Sequence, residues 1–382
     1  MQSSKPTQIL ALDGIRGIAI LAVMVHHFSC VFQGSTSPFD RVLYSIASRG
    51  RHGVDLFFVL SGFLITRILI YSRGRENWLQ SFYMRRVLRI FPVYFLYLLL
   101  IFGMMRQIYP DKFVNTHALP YMVYLSNWQA GTGFADFRLG HIWSLAVEEQ
   151  FYLVWPILVL LCPPRRLIHA ASAICLLALG LRLAATGHVG MHAIDRMTPF
   201  RIDALAAGAV LAAISTSDRG SRLIRRLGLP AAGAALMLAV ALRGTAYSYA
   251  VQFSVIVVCC GAFVFLGARH NPGWLRHPFL TTAGKYSYGM YVYHVLLSSQ
   301  IWPWLKACDR VVPLPVLRWV FLPLAGGTAF MAAWLSYRYF ESPFLRLKEH
   351  FVAGVAAAPE AQRDDVQVRM APPAAGGALP AC

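Results

Sequence analysis

Ten stretches of about 20 mostly apolar residues constrain this chain most strongly, because a helix needs about that length to cross a bilayer. They lie at roughly 14–33, 53–71, 88–108, 142–162, 167–185, 201–215, 228–244, 248–268, 284–302 and 316–338, with ends defined to within a few residues. The composition agrees, since 57% of the residues are hydrophobic and 14% are charged, whereas soluble domains carry about 25% charged residues. The chain is therefore predicted to be an all-α, polytopic membrane protein with about ten transmembrane helices.

Basic residues are distributed unevenly along the loops. The net charge of +18 would favour nucleic acid in a soluble protein, but in a membrane protein Lys and Arg accumulate in cytoplasmic loops. With a cytoplasmic N-terminus, those loops hold basic clusters at 73–75, 85–86, 165–166, 219–226, 269–276 and 346–348. We therefore predict no nucleic-acid partner and both termini in the cytoplasm. The expected organisation is a short N-terminal segment (1–12), a transmembrane domain (13–340) and a disordered tail (341–382).

The first apolar stretch contains ionisable side chains, which are costly inside a membrane and often mark a pathway or a reaction centre. Arg16 and His27 are eleven residues apart, so a helix brings them to nearly the same face, roughly 16 Å apart, while His26 points about 80° away. Asp13 can pair with Arg16 across one turn. The alternative is a snorkelling arginine at the helix end and a histidine bonded to a neighbouring helix.

The fourth stretch carries a polar stripe. His141, Ser144, Glu148 and Tyr152 follow one another at steps of three and four residues, which places them on one helix face. Glu148 lies about two turns inside the stretch, so it should face protein or water rather than lipid. Glu148 is either a functional group or one partner of a salt bridge between helices. Glu149 lies on the adjacent face, which is closer to the membrane interface.

Two further stretches contain polar residues with simpler explanations. The ninth stretch places Ser287, Tyr291 and His294 on one face, although tyrosines also form an aromatic belt at membrane boundaries. The second stretch has Asp55 near its outer end and Ser61 close to its middle. Glycines beside both residues would permit close packing against another helix.

An arginine cluster precedes the third stretch on its cytoplasmic side. Arg86 and Arg89 lie three residues apart on one face, with Arg85 beside them and Pro92 able to bend the helix near its start. Guanidinium groups bind phosphates through paired hydrogen bonds, but ordinary positive-inside charge explains the cluster equally well.

The seven cysteines show no spacing typical of a zinc site, and no metal is expected.

Six ordered segments together resemble the acyltransferase-3 family of bacterial membrane O-acyltransferases. They are LDGIRGIAILAVMVHHF, GVDLFFVLSGFLIT, FYMRRVLRIFPVY, HIWSLAVEEQFYLVWP, RIDALAAGAVLA and GKYSYGMYVYHVLL, and they cover most of residues 11–340. The resemblance implies a ten-helix domain of the bacterial inner membrane that transfers an acyl group, usually acetyl, from cytoplasmic acyl-CoA. The implied acceptor is a carbohydrate hydroxyl, for example on the O-antigen of lipopolysaccharide, an exopolysaccharide or another surface glycan.

The resemblance also implies roles for individual residues. The family's reactive histidine falls on His27, its first-helix arginine on Arg16 and the glutamate of its SLxxExxFY motif on Glu148, which would orient the imidazole. The acyl-CoA phosphates would bind the arginines of the cluster, namely Arg85, Arg86 and Arg89. The candidate acceptor-binding or supporting residues are Asp13, Asp55, Ser61, Ser144, Tyr291 and His294. Acetyl-CoA is then a donor substrate, and no permanently bound cofactor is expected.

Two alternatives stay open at this point. Many relatives append a periplasmic SGNH-type domain that completes the transfer, whereas residues 341–382 contain no such nucleophile motif. The acceptor would then be met by the membrane domain itself or by a separate envelope protein.

A different class of protein, a multi-pass exporter of an anionic or glycan-like solute, would use the buried charges as relay groups. It predicts internal repeats with broken helices, and the sequence shows none.

Overall fold

The computed structural model describes residues 9–113, 116–132, 136–216, 218–352 and 354. Within these ranges the chain is helical and contains no strand. The long helices are α1 (Leu10–Phe28), α2 (Gly53–Ser72), α3 (Trp78–Leu98), α4 (Trp143–Leu161), α5 (Pro164–Ala185), α6 (Thr198–Ile214), α7 (Asp218–Ala241), α8 (Ser248–His270), α9 (Pro278–Lys306) and α10 (Leu314–Leu335). Short helical segments connect them: Ser29–Phe32, Pro38–Ala47, Ser48–His52, Leu99–Met105, Arg106–Ile108, Pro110–Phe113, Ala118–Met122, Ser126–Gly131, Met191–Arg196, Gly273–Arg276, Ser336–Glu341, Ser342–Leu347 and Lys348–His350.

Each of the ten long helices overlaps one of the predicted apolar stretches. In the described part of the chain, eight helical segments are long and apolar enough to cross a membrane. Helix α7 falls short because its apolar part is limited to Arg226–Leu238, and α9 does so because serine, tyrosine, histidine and lysine side chains interrupt its apolar sequence. The all-α membrane fold is confirmed, while the count of ten spans and the side on which the termini lie stay predictions. The first residues of the predicted disordered tail are helical, at Ser342–Leu347 and Lys348–His350. Most of the rest of the tail and of the N-terminal segment lies outside the described residues.

Helix α3 differs from its predicted boundaries. It begins at Trp78, ten residues before the predicted start, and continues through Pro92. Trp78 and Phe82 are buried, so their packing extends the helix upstream of the charged residues. The arginine cluster therefore lies within the first half of α3 and does not precede the helix.

The central helices approach one another closely at glycine residues. A Cβ atom added to Gly62 of α2 would lie 1.9 Å from the carbonyl oxygen of Leu205 in α6. One added to Gly208 of α6 would lie 2.0 Å from the carbonyl oxygen of Val59 in α2. Only hydrogen fits at both positions, so the two backbones are in direct contact. This contact holds α6 beside α2, while α1 packs between α2 and α9.

Candidate active site

A first cavity, with a volume of about 370 Å³, opens between α1, α2, α3, α4 and α9 at the end of the bundle where α1 begins. We call this end the N-terminal end. The charged residues that line the cavity are Asp13, Arg16, Arg67, Arg86, Arg89, Glu148 and Glu149. Four arginines thus face three carboxylates, which leaves the lining close to neutral.

The charged lining of the first cavity contains one ion pair. Arg16 pairs with Asp13 at 3.2 Å, as predicted from their spacing. The guanidinium of Arg86 lies 5.7 Å from the ring centre of Tyr152. Glu148, Ser61 and Tyr152 line the same cavity. Because carboxylates lie beside the arginines, this cavity suits a neutral or weakly charged ligand better than several phosphates.

A second cavity, of about 240 Å³, lies nearer the opposite end of the bundle. Its titratable lining consists of His26, His27, Arg51, His52, Asp55, His141, His192, Asp195, Arg196 and Arg201, together with Tyr291. The polar character of this lining suits a ligand rich in hydroxyl groups.

A thin partition separates the two cavities. Val54 of α2 and Tyr291 of α9 line both of them. The Tyr291 hydroxyl donates a hydrogen bond to the carbonyl oxygen of His141 at 2.8 Å and lies 2.5 Å from Ser144 Oγ. The tyrosine ring is therefore held in place by the start of α4, and it borders both cavities.

A cluster of three histidines lies against this partition, on the side of the second cavity. The ring of His294 is centred 4.8 Å from the ring of His27 and 5.0 Å from that of His141. The His141 ring is in turn 5.4 Å from the ring of Tyr291. His294 is completely buried. Tyr291 and His294 were predicted to share one face of α9. That face places the His294 ring against the ring of His27, the candidate reactive histidine.

The hydrogen bonds of the cluster assign the tautomer of His27. Nδ1 of His294 lies 2.7 Å from the carbonyl oxygen of Tyr291 and must donate to it, so its Nε2 is an acceptor. Nδ1 of His27 lies 3.0 Å from the carbonyl oxygen of Val23 and 3.2 Å from that acceptor. Since both partners accept, the proton of neutral His27 resides on Nδ1. Nε2 then carries a lone pair that can act as a base or a nucleophile.

Buried ion pairs form the other wall of the second cavity. Arg201 of α6 donates to Asp55 of α2 at 2.5 Å, and His52 lies 2.9 Å from the same carboxylate. The Arg201 guanidinium also lies 4.2 Å from the ring centre of Phe253. In the sequence, Arg201 was recognised only as part of a family segment. The argument used for Arg16 would also have identified Arg201, because Arg201 is a charged side chain within an apolar stretch.

The structure separates the predicted residues into two groups. The first cavity is lined by Asp13, Arg16, Ser61, Arg86, Arg89, Ser144, Glu148 and Tyr291. Residues His27 and Asp55 line the second cavity, and Tyr291 lines both. Arg85 is exposed and lines neither cavity. The hydrogen-bonding neighbours of the His27 ring are His294 and the Val23 carbonyl, whereas Glu148 lines the first cavity, so its orienting role stays a prediction.

Several residues were missed because their roles depend on contacts between helices. His141 was recognised only as part of a polar stripe, and its ring packs in the histidine cluster. The completely buried Arg182 of α5 forms an ion pair with Asp203 at 2.7 Å.

Within the described ranges, no group of three or more His, Cys, Asp or Glu side chains is arranged to hold a metal ion.

The fold and the site define a helical membrane protein with two charged cavities that share Val54 and Tyr291 in their linings. The sequence profile of the acyltransferase domain, acyltransferase-3, matches residues 9–338, and the chain belongs to this family. It is similar to the O-acetyltransferase OatA of Staphylococcus aureus, with 26% identity over 366 residues, covering 88% of this chain and 57% of that protein. It is also similar to the peptidoglycan O-acetyltransferase OatA of Listeria monocytogenes, with 27% identity over 363 residues, covering 87% and 55%.

The chain therefore spans a little more than half the length of these curated relatives. No solved structure matches the chain significantly.

Proposed function

We propose that this protein is a membrane O-acyltransferase that moves an acetyl group from acetyl-CoA in the first cavity to a carbohydrate hydroxyl in the second. The observation that carries this proposal is the partition at Val54 and Tyr291, which both cavities share and beside which His27 lies. A donor and an acceptor that enter from opposite ends of the bundle would meet there.

The chemistry follows from the tautomer of His27. With Nδ1 protonated, Nε2 can remove the proton of the acceptor hydroxyl while the oxygen attacks the thioester carbon. The C–S bond breaks, a C–O bond forms, and the CoA thiolate takes the proton back from the imidazolium. Alternatively, Nε2 itself attacks the thioester carbon, the C–S bond breaks and the CoA thiolate leaves. The acceptor oxygen then attacks the acyl-imidazolium, neutral imidazole is released, and the hydroxyl proton passes to the thiolate. In both routes the Nδ1–H bonds to Val23 and His294 stabilise the positive charge that develops on the ring.

The other predicted groups act on the donor side. Arg16 lies eleven residues before His27, which is about 16 Å along the helix, so it is too far away to contact the reacting oxygen. It lines the first cavity together with Arg86, Arg89 and Glu148. In this proposal these four residues hold and orient the acyl-CoA arm, and Tyr291 and Ser144 border the thioester.

The acceptor is proposed to be a glycan of the bacterial cell envelope. The name of the Listeria relative makes peptidoglycan the first glycan to test, with O-antigen and exopolysaccharide as the other candidates. The N-terminal end of the bundle would face the cytoplasm, where acyl-CoA is available, and the protein would reside in the cytoplasmic membrane. A separate envelope protein could then receive the acyl group where the glycan does not enter the second cavity.

The test is the release of CoA thiol by the purified protein in lipid nanodiscs, with acetyl-CoA and soluble peptidoglycan fragments. We expect glycan-dependent thiol release together with a mass gain of one acetyl group on the glycan. The matched variant His27→Asn keeps a donor for the Val23 carbonyl but lacks Nε2, and it should be inactive. An exporter would leave the thioester intact, and that result would refute the proposal.

A further inference from the structure

A third cavity, of about 220 Å³, lies at the N-terminal end of the bundle between α2, α6 and α8. Its charged residues are Arg67 near the end of α2 and Arg269 near the end of α8. The hydroxyl residues Ser215 and Thr216, just after α6, also line it. Aspartate and glutamate are absent from its described lining, in contrast to the first cavity.

Both arginines are available for a ligand. Among the described residues, neither has a carboxylate within ion-pair distance. The Arg67 guanidinium lies over the ring of Tyr71 at 5.8 Å, and Arg269 is exposed. The hydroxyls of Ser215 and Thr216 already donate to the carbonyl oxygens of Ala212 and Ala213. The two guanidinium groups without acidic partners therefore supply the donors suited to phosphate oxygens.

The third cavity lies next to the first. Ile9 and Arg67 line both cavities. Arg67 lies thirteen residues after Val54 on the same helix, which is a rise of about 20 Å. An extended pantetheine arm has a length of this order. A molecule whose reactive end reaches the partition at Val54 would therefore have its other end at Arg67.

We propose that the third cavity binds the phosphorylated nucleotide end of acyl-CoA, with Arg67 and Arg269 as its phosphate contacts. This inference rests on the proposed function and adds to it the position of the nucleotide. The charge distribution supports the assignment. The nearly neutral first cavity matches the uncharged pantetheine arm, and the acid-free third cavity matches the phosphates. The half-exposed ring of Tyr71 at the cavity wall offers a surface on which a purine can stack.

Two alternative roles for the arginines lead to different expected results. Basic residues near helix C-termini compensate the helix dipole, and basic pockets between helices bind anionic lipid headgroups. The dipole role predicts lower stability without a selective effect on the nucleotide end. The lipid role predicts stabilisation by an anionic lipid and not by CoA.

The experiment compares acetyl-CoA with acetyl-pantetheine, which has the same thioester but lacks the nucleotide. Thiol release is measured for the wild type, for the double variant Arg67→Gln/Arg269→Gln and for the control Arg276→Gln. Arg276 is an exposed arginine that lines none of the three cavities. We expect the double variant to raise the KM for acetyl-CoA at least about tenfold, because two charge-assisted contacts are lost. Its KM for acetyl-pantetheine should rise much less than its KM for acetyl-CoA, and the control should match the wild type with both donors.

Thermal stabilisation by free CoA, and by phosphatidylglycerol, is measured in parallel for the wild type and the double variant. Stabilisation by CoA that the double variant loses supports the inference. An unchanged KM for acetyl-CoA, an equal rise for both donors, or stabilisation by the lipid alone would each overturn it while the proposed function stands. A wild-type protein that neither consumes acetyl-CoA nor binds CoA would overturn the proposed function as well.

Discussion

The histidine cluster makes a graded prediction for three single variants. His27→Ala removes the base or nucleophile and should lower kcat at least about a hundredfold. His294→Ala removes one partner of the His27 Nδ1–H, and the Val23 carbonyl at 3.0 Å remains. One hydrogen bond contributes about 0.5–1.5 kcal/mol, so the loss in kcat should be at most about tenfold. The expected order of damage therefore places His27 well above His294.

His26 should be the least sensitive of the three. It also lines the second cavity, but its Nδ1 is buried with no hydrogen-bond partner among the described residues. Truncation to alanine therefore forfeits no ring hydrogen bond at that atom. His26→Ala should cost only what a lost packing contact costs, about 1 kcal/mol or about fivefold in rate, which is less than the bound for His294→Ala.

The assay is glycan-dependent thiol release at saturating acetyl-CoA, normalised to the amount of folded protein from size-exclusion chromatography. His27→Asn accompanies the series, because asparagine can still donate to the Val23 carbonyl. If asparagine restored activity, the role of His27 would be structural. If His26→Ala were the most damaging variant, the assignment of the reactive ring would be wrong. A loss in His294→Ala as large as in His27→Ala would make His294 a reacting group.

Three further predictions concern stability and orientation. Asp55→Asn removes one partner of a buried ion pair, so it should destabilise the protein by about 3–5 kcal/mol, and the double variant Asp55→Asn/Arg201→Gln should recover part of the lost melting temperature. Gly62→Ala should abolish accumulation of folded protein, because its Cβ would collide with the Leu205 carbonyl, whereas Gly180→Ala, which meets no atom within 4 Å, should behave as the wild type. Reporter fusions at residue 350 should behave as cytoplasmic, since the arginine bias of the loops places both termini there; a periplasmic signal would refute that topology.

The sequence was most informative about which side chains lie on the same face of one helix. Helical periodicity correctly placed Tyr291 and His294 on one face, and it correctly paired Asp13 with Arg16. The cost of charge inside a membrane singled out Arg16 and Glu148, and both line the first cavity. These inferences need only the rise and rotation of one helix, which are the same in every helix.

Contacts between helices could not be obtained in the same way. Glu148 and His27 are both polar groups in apolar stretches, but the rotation of α4 relative to α1 places them in different cavities. Arg85 and Arg86 are neighbours in sequence, and only Arg86 faces the first cavity. Arg67 and Arg269 are about 200 residues apart, and Arg269 resembled ordinary positive-inside charge. Only the packing of α2 against α6 and α8 brings these two arginines to one cavity.

The buried charges of α6 explain why one wall of the second cavity should be rigid. Arg201 pairs with Asp55 of α2, and Asp203, two residues further and so about 200° around the helix, pairs with Arg182 of α5. Arg182 also donates to the Ser254 hydroxyl and to the carbonyl oxygen of Ala250 in α8. Moving α6 away from either neighbour would leave an unpaired charge in a low-dielectric interior, which costs several kcal/mol. Helix α6 is thus held on two faces, by α2 and by α5. The charge of Arg201 is neutralised by Asp55, so Arg201 contributes to the rigid wall of the second cavity.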